Sequence, residues 1–417
     1  MKILAIETSC DETALSLVEG SFDDAKNVPP VFSIINNSLF SQTKIHEPYG
    51  GVFPNLAKRE HARNLVPLLK QLLGGVTKDL EKNNAHDSTP ENNTLGVKAP
   101  NDVAQSSNTP FTEDQCSYLK NLFAREPDLF DAFITHIPTI KKPKVDGIAV
   151  TYGPGLEPAL WVGINFAKAL HFVWNIPVIP INHMEGHIVS VLTTTKEPVS
   201  FPAIALLISG GHTELVHIST WTEYKIVGET RDDAVGEAFD KVARMLSLPY
   251  PGGPHISALA EKERTHIPQH TALDISLPRP MINSKDLDFS FSGLKTAVLY
   301  KVKNIPILTE VIKQCIAYEF ENAVAEVLVH KTKKALMEYG AKSLIIAGGV
   351  IANTHIRRSF TALEKELPEI KLYMPEMQLA TDNAIMIAIA ALVETHHDET
   401  ALKINPDLIR AQGNLRL

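Results

Sequence analysis

His183 and His187 stand four residues apart in Asn182-His183-Met184-Glu185-Gly186-His187. On a helix that spacing puts both rings on one face, where they can meet a single metal ion. Asn182 is placed to cap such a helix, and Glu185 falls three residues later, where a capping-box carboxylate belongs. The spacing is equally that of a surface helix with two incidental histidines. A zincin protease requires H-E-x-x-H, with its general base directly after the first histidine. Here that position is Met184, so protease chemistry is disfavoured. Asp382, in Thr381-Asp382-Asn383-Ala384, precedes an apolar stretch and either caps a helix or offers a hard oxygen ligand. Two histidines and one carboxylate leave open positions on a metal, as catalytic or substrate-binding sites require.

Two glycine pairs follow apolar runs. Leu207-Ile208-Ser209-Gly210-Gly211-His212-Thr213-Glu214 reads as a hairpin. Its glycines allow either a plain tight turn or a close approach of backbone amides to a phosphate, with the Ser209 hydroxyl beside them. In Ile346-Ala347-Gly348-Gly349-Val350-Ile351-Ala352-Asn353 a buried run ends in glycines, and Asn353 is placed to cap the next helix. Ligands in α/β folds sit beyond the carboxyl ends of strands, so this is either a nucleoside site or a bare helix entry. Asp240, in Glu237-Ala238-Phe239-Asp240-Lys241, reads first as part of a solvated helix face, and Tyr250-Pro251-Gly252-Gly253-Pro254 as a rigid structural loop.

The elements that must hold these residues alternate between strand and helix patterns, which indicates an α/β protein with layered sheets. Residues 3–6 and 14–18 are apolar runs on either side of a polar turn, and 60–73 has helical spacing. Strand patterns recur at 147–151, 177–180, 203–208, 214–218 and 343–347. Helical ones recur at 156–174, 234–246, 312–337 and 381–394. No short-period repeat is visible. Between them, residues 76–112 are rich in Asn, Asp, Ser, Thr and Pro and cannot bury enough apolar area to offset ordering entropy. That segment is expected to be a loosely ordered insertion. Residues 116–139 regain aromatics and are expected to dock as a helical extension, with 76–144 as the whole insert.

The chain has 417 residues, 44% of them hydrophobic and 21% charged, enough for two or three domains with a large core. A formal net charge of -8 gives no global attraction for nucleic acid, so any RNA contact needs a local basic patch or a partner. Lys58, Arg59 and Arg63 are one small cluster of that kind, or simply a solvated helix face. Cys10, Cys116 and Cys315 form no C-x-x-C pair, which argues against a thiolate zinc site and suits a reducing compartment. The first residues show no signal or transit pattern, and no apolar run has the ~20 residues of a membrane span. The expected location is cytoplasmic, with no membrane partner.

Taken in order, these strings resemble the tRNA N6-adenosine threonylcarbamoyltransferase family, formerly called the O-sialoglycoprotein endopeptidase family. The carriers are Ile6-Glu7-Thr8-Ser9-Cys10-Asp11-Glu12-Thr13, Gly153-Pro154-Gly155-Leu156, the two-histidine helix, Ser209-Gly210-Gly211-His212-Thr213 and Glu237 to Lys241. They continue through Tyr250 to Pro254, Phe291-Ser292-Gly293-Leu294-Lys295, Ala347-Gly348-Gly349-Val350 with Asn353, and Thr381-Asp382-Asn383. The form of the histidine helix looks most like the bacterial and organellar branch. The resemblance implies an actin-like ATPase (ASKHA) fold, two RNase H-like lobes with a cleft between them. The N-terminal lobe would hold 1–75 and 145–178, completed by 384–417, and the C-terminal lobe 179–383. It also implies one divalent metal, iron(II) first and zinc second, held by His183, His187 and Asp382. The implied reaction takes the threonylcarbamoyl group from threonylcarbamoyl-AMP to N6 of the tRNA adenosine beside the anticodon. By motif, Leu207, Ile208, Ser209, Gly210 and Gly211 would contact the adenylate, and Asp240, Gly253 and Asn353 the nucleoside. Asp11 and Glu12 would face the same cleft. Helper subunits, including an inactive paralogue and a small ATPase, are implied as partners. Two departures stand out: the 76–144 insert, and Ser257 where many members carry an aspartate. The competing classes are an actin-like small-molecule kinase, another carbamoyltransferase, or an idle structural subunit. A kinase of this fold has an aspartate-glycine phosphate loop where this chain has Ser9-Cys10-Asp11-Glu12, and an idle subunit would be expected to lose the metal ligands.

Overall fold

The computed structural model describes residues 1–23, 28–79, 111–266 and 275–417. Most of the expected 76–112 segment lies outside the described residues.

Two five-stranded sheets organise the chain, and they share one topology. The first contains β1 (Lys2–Glu7), β2 (Glu12–Ser21), β3 (Val31–Ser41), β4 (Gly147–Gly153) and β5 (Val178–Asn182), in the order β3-β2-β1-β4-β5. The second contains β6 (Ala203–Ile208), β7 (Thr213–Thr220), β8 (Glu223–Glu229), β9 (Ser343–Ala347) and β10 (Lys371–Tyr373), in the order β10-β9-β6-β7-β8. In each sheet the first three strands run antiparallel as a meander, and the last two are added parallel to the first. The chain is therefore built from two related halves, although no sequence repeat shows it. The lobe boundary expected at 178 cuts β5, whose residues pair with β4 in the first sheet, so that sheet extends to Asn182.

Helices cover both sheets. They are α1 (Thr43–His46), α2 (Pro54–Asp79), α3 (Glu113–Leu122), α4 (Pro127–His136), α5 (Glu157–Trp174) and α6 (His183–Val189) on the first half of the chain. The second half adds α7 (Val235–Met245), α8 (Gly252–His266), α9 (Ser292–Lys303), α10 (Glu310–Glu338), α11 (Thr354–Glu366) and α12 (Ala384–His397). Strand alternation divides the core into three layers. Ile3 and Ala5 of β1 face the space between the sheets, while Leu4 and Ile6 face the helices behind the first. In β6, Ala203, Ala205 and Leu207 face inward, and Ile204, Leu206 and Ile208 face α7, α8 and α10. Small residues on the inner faces let α12 lie between the sheets. It is apolar all round and buried from Ala384 to Val393, as a helix packed on every side must be. Among the described residues no helix is long and apolar enough to cross a membrane.

The helical stretch α3–α4 packs on the first half, and its start is sharply defined. Thr112 caps α3 in a reciprocal capping box with Gln115. Leu119, Phe123, Leu129 and Phe133 are buried in one cluster with Leu65 and Leu69 of α2 and Phe166 of α5. The Phe133 ring meets Phe166 edge-on at 5.9 Å. At the other end of the insert, α2 continues to Asp79, past the expected limit at 75.

Candidate functional site

A carboxylate, Glu7, ends β1 after the apolar run Ile3–Ile6 and is fully buried. It accepts from the Ser9 amide at 2.5 Å and the Thr151 hydroxyl at 2.6 Å, and its Oε2 lies 3.0 Å from His183 Nδ1. Ser9 Oγ also reaches that nitrogen, at 3.3 Å. Burial pushes the Glu7 carboxyl up, but His183 and Thr151 more than offset it and leave it below the ordinary value. An ionised carboxylate only accepts, so Glu7 holds a proton on His183 Nδ1 and leaves Nε2 as the nitrogen presented to the cleft, beside Asp382.

β5 leads straight into α6, and Asn182 caps it by accepting from the Met184 amide at 2.9 Å. His183 and His187 thus lie one turn apart on one face, with ring centroids 4.7 Å apart. The turn before α12 brings in Asp382. Its Oδ1 lies 3.1 Å from His187 Nε2 and 3.4 Å from His183 Nε2. One donor atom from each residue falls within 4.8 Å of the others. Burial opposes ionisation of Asp382, yet the two histidines hold its carboxyl well below the usual range. The donor set fits one divalent ion: two imidazole nitrogens, one carboxylate oxygen, and a carboxylate behind His183 that fixes the ring. Asp382 does not cap α12; Asn383 does, accepting from the Met386 amide at 3.0 Å.

Glu185 also departs from expectation. It forms no capping box but accepts from the Tyr224 hydroxyl at 3.4 Å. Burial, with Glu394 nearby, pushes its carboxyl up to about 8, and burial raises Glu394 to about 7. Both groups hold protons in the folded chain that they lose in the unfolded one above the ordinary value of 4.5. Their contribution is fully present below that value and is lost as pH rises through about 7 to 8. Glu185→Gln is therefore expected to raise Tm at about pH 8 and to change it little at about pH 5, read by thermal melts at both. A Tm increase of equal size at both would show that Glu185 does not titrate in this window.

The glycine motifs converge on a second region of the cleft. Ser209 Oγ accepts from the amides of Gly211 and His212 at 3.3 and 3.0 Å, which closes the β6–β7 hairpin. The Gly211 amide thus takes part in closing the turn. Gly236, at the start of α7, packs on this hairpin so closely that a Cβ there would sit 2.7 Å from the Ser209 carbonyl. Gly348, at φ +95, lies as close to the Ile208 carbonyl, so only glycine fits. On the open side, a Cβ at Gly210, Gly211, Gly253 or Gly349 would meet nothing within 4 Å. Asp240 is half-buried, not on a solvated face, and accepts from the Gly252 amide at 2.7 Å. It is near enough to Asp11 for their charges to interact. Asn353 caps α11 through Ile356 and donates to buried Glu321 at 2.6 Å. Ser257 also bonds Glu321, which links it to Asn353. Leu207 and Ile208 are buried in β6, so their side chains line the core and only backbone faces the hairpin.

Asp11 and Glu12 lie across from this region. Burial raises both carboxyls, Glu12 further, with Asp11 and then Asp382 adding to it. His212, quoted in the sequence only as part of the hairpin, is lowered to about 4 by burial and then by His183 and His187. Glu7 and Ser9 are the contributors that residue patterns missed. A glutamate closing the apolar run Ile3–Ile6 was the available signal, because a buried carboxylate must find partners.

Two sheets of one topology, packed around α12 with a two-histidine, one-carboxylate group at their junction whose donors fit one metal ion, define an actin-like ATPase-fold protein. Comparison with known proteins narrows this. The tRNA N6-adenosine threonylcarbamoyltransferase family matches residues 33–84 and 131–389. A relative of that name from Herminiimonas arsenicoxydans is 40% identical over 98% of this chain and 94% of its own length. One from Staphylococcus aureus (strain Newman) is 37% identical over 93% of this chain and 90% of its own. The chain belongs to the tRNA N6-adenosine threonylcarbamoyltransferase family. A crystal structure of the Acidaminococcus fermentans (R)-2-hydroxyglutaryl-CoA dehydratase component A overlaps 94% of this chain and 97% of that one, at 11% identity and TM-score 0.43, too distant to bear on function.

Proposed function

We propose that this chain transfers the threonylcarbamoyl group from threonylcarbamoyl-AMP to N6 of the adenosine beside the anticodon, in tRNAs reading codons that begin with A. The observation that carries the reading is the His183–His187–Asp382 centre together with Gly210, Gly211 and Gly253, whose Cβ positions are open. The open sides of Gly210, Gly211 and Gly253 suit the adenylate, and Asp240 and Asn353 would contact the nucleoside. A divalent ion held by the three ligands, iron(II) or zinc, would supply Lewis acidity and a fixed grip on the threonyl-carbamoyl end. The substrate is a mixed anhydride and already activated, so the residues act chiefly by positioning. The N6 amine bonds to the carbamoyl carbon, the bond from that carbon to the phosphate oxygen breaks, AMP leaves with the electron pair, and N6 loses a proton. Helper subunits, including an inactive paralogue and a small ATPase, are part of this reading, and so is a cytoplasmic location, where tRNA and ATP are found.

The test is reconstitution from unmodified tRNA, threonine, bicarbonate, ATP and bacterial partner proteins, followed by nucleoside mass spectrometry. The modified adenosine is expected only when this chain is present. A complete mixture that yields none, with a chain that instead phosphorylates a small molecule from ATP, would establish the kinase alternative.

A further inference from the structure

The loop that leads into α2 carries features the proposed reaction leaves unused. Tyr49 and Phe53 are 65% and 53% exposed, and their rings stack with centroids 6.0 Å apart. Phe53 runs directly into α2, whose Asn55, Lys58, Arg59 and Ala62 form one wall of a groove of about 300 Å³. The other wall is Arg125-Glu126-Pro127-Asp128, the turn into α4. Lys58 ties the walls together: its Nζ lies 2.9 Å from the buried Glu126 carboxylate and donates to the Arg125 carbonyl at 3.2 Å. That contact meets one oxygen of the Glu126 carboxylate from within. Arg59 and Arg63, just over half exposed, each reach only Glu60, at 3.3 Å. The exposed Arg125 makes no ion pair among the described residues. Both α2 and α4 begin at the groove, so their N-termini add to a potential that favours anions; Glu126, paired with Lys58, and Asp128 are the acids in its lining.

The same loop borders the cleft. His46, just before it, lies near enough to Asp11 for their charges to interact, and the Gly50 carbonyl accepts from Arg244 of α7 in the second half. Exposed aromatics interleaved with arginines are what single-stranded RNA requires: faces for unpaired bases and cations for phosphates. Arg125 and Glu126 lie in the stretch 85–130 that the family match leaves out, so one wall of this groove is not part of the family's common core.

We propose that Tyr49, Phe53, Arg59 and Arg125 form an RNA-docking rim, the aromatics stacking unpaired bases and the arginines holding backbone phosphates. The proposal rests on the reading that the substrate is a tRNA. It gives a chain of net charge -8 the local basic patch that such a substrate demands.

The experiment titrates the full chain with unmodified tRNA at several salt concentrations and measures the KM for tRNA in the reconstituted reaction. Tyr49→Ala with Phe53→Ala is expected to weaken tRNA binding about tenfold. Arg59→Ala with Arg125→Ala is expected to weaken it several-fold and to reduce the log–log salt slope by about 0.7–0.9 for each phosphate that is no longer neutralised. In both double variants KM for tRNA should rise in step, while Tm and metal content stay at wild-type values, since all four side chains are on the surface. Unchanged tRNA affinity and salt slope in both would overturn the proposal. So would loss of helper-subunit assembly with tRNA affinity intact, which would make the rim a protein-docking face. A wild-type chain that binds tRNA but yields no modified nucleoside would count against the proposed reaction alone, because the titrations still decide the rim.

Discussion

His183→Ala combined with His187→Ala is expected to yield a folded chain without metal and without transfer activity. The wild type should purify with about one divalent ion per chain, since the three ligands define one site. Outer-sphere partners of a metal are worth ~10–100-fold in affinity or activity, and removing two ligands must exceed that. The fold should survive, because α6 is held by the Asn182 cap and by Met184, Ile188 and Val189 in the core between the sheets. Asp382→Asn separates charge from shape: it can still hydrogen-bond a histidine but removes the anion that both rings face. It should also lose most of the metal while Asn383 continues to cap α12. The measurement is elemental analysis beside circular dichroism and nucleoside analysis. Equal metal in wild type and double variant would mean that the three residues are a structural ion-pair network and hold no ion.

Much of this centre could be read from spacing. His183 and His187 are four apart after a capping Asn182, and their helix forms where that pattern puts it. Strands and helices were legible wherever apolar periodicity was strong, as in β6, β9 and α10. What stayed hidden depends on contacts between distant residues. Glu185 has the spacing of a capping box, yet burial and Tyr224 draw it away from the helix terminus. Asp382 and Asn383 are both good caps, and only the position of the histidines decides which residue is left to face them. The duplicated sheet topology leaves no trace as a repeat, because sheet order is set by which strands pair, and many apolar sequences satisfy the same pairing. Either use of the Gly210-Gly211 pair stayed open, because the local sequence cannot show that Ser209 folds back onto the Gly211 amide.

The role of Glu7 was equally invisible, and it supports the most discriminating prediction. Glu7 has two oxygens and three donors to serve: the Ser9 amide on Oε1, and the Thr151 hydroxyl and His183 on Oε2. In Glu7→Gln the single oxygen must stay with Ser9, because a backbone amide can only donate. The new amide group then faces Thr151 and His183 Nδ1. Thr151 can rotate its hydroxyl to accept, but His183 must switch tautomer, accepting on Nδ1 and carrying its proton on Nε2. A protonated Nε2 cannot bind a metal, and it points at Asp382 and the site. Glu7→Ala leaves His183 free to keep either tautomer, although the vacated space and the unpartnered Thr151 hydroxyl reduce stability. The two variants should therefore rank in opposite orders. Glu7→Gln is expected to be the more stable of the pair yet to bind metal ~10–100-fold more weakly than wild type, with Glu7→Ala less stable but closer to wild type in metal affinity. Competition titration with a chelating dye gives the affinities, and thermal melts of the metal-free proteins give the stabilities. If Glu7→Gln binds metal as tightly as wild type, Glu7 does not set the His183 tautomer and its burial serves only to join β1 to β4 through Thr151.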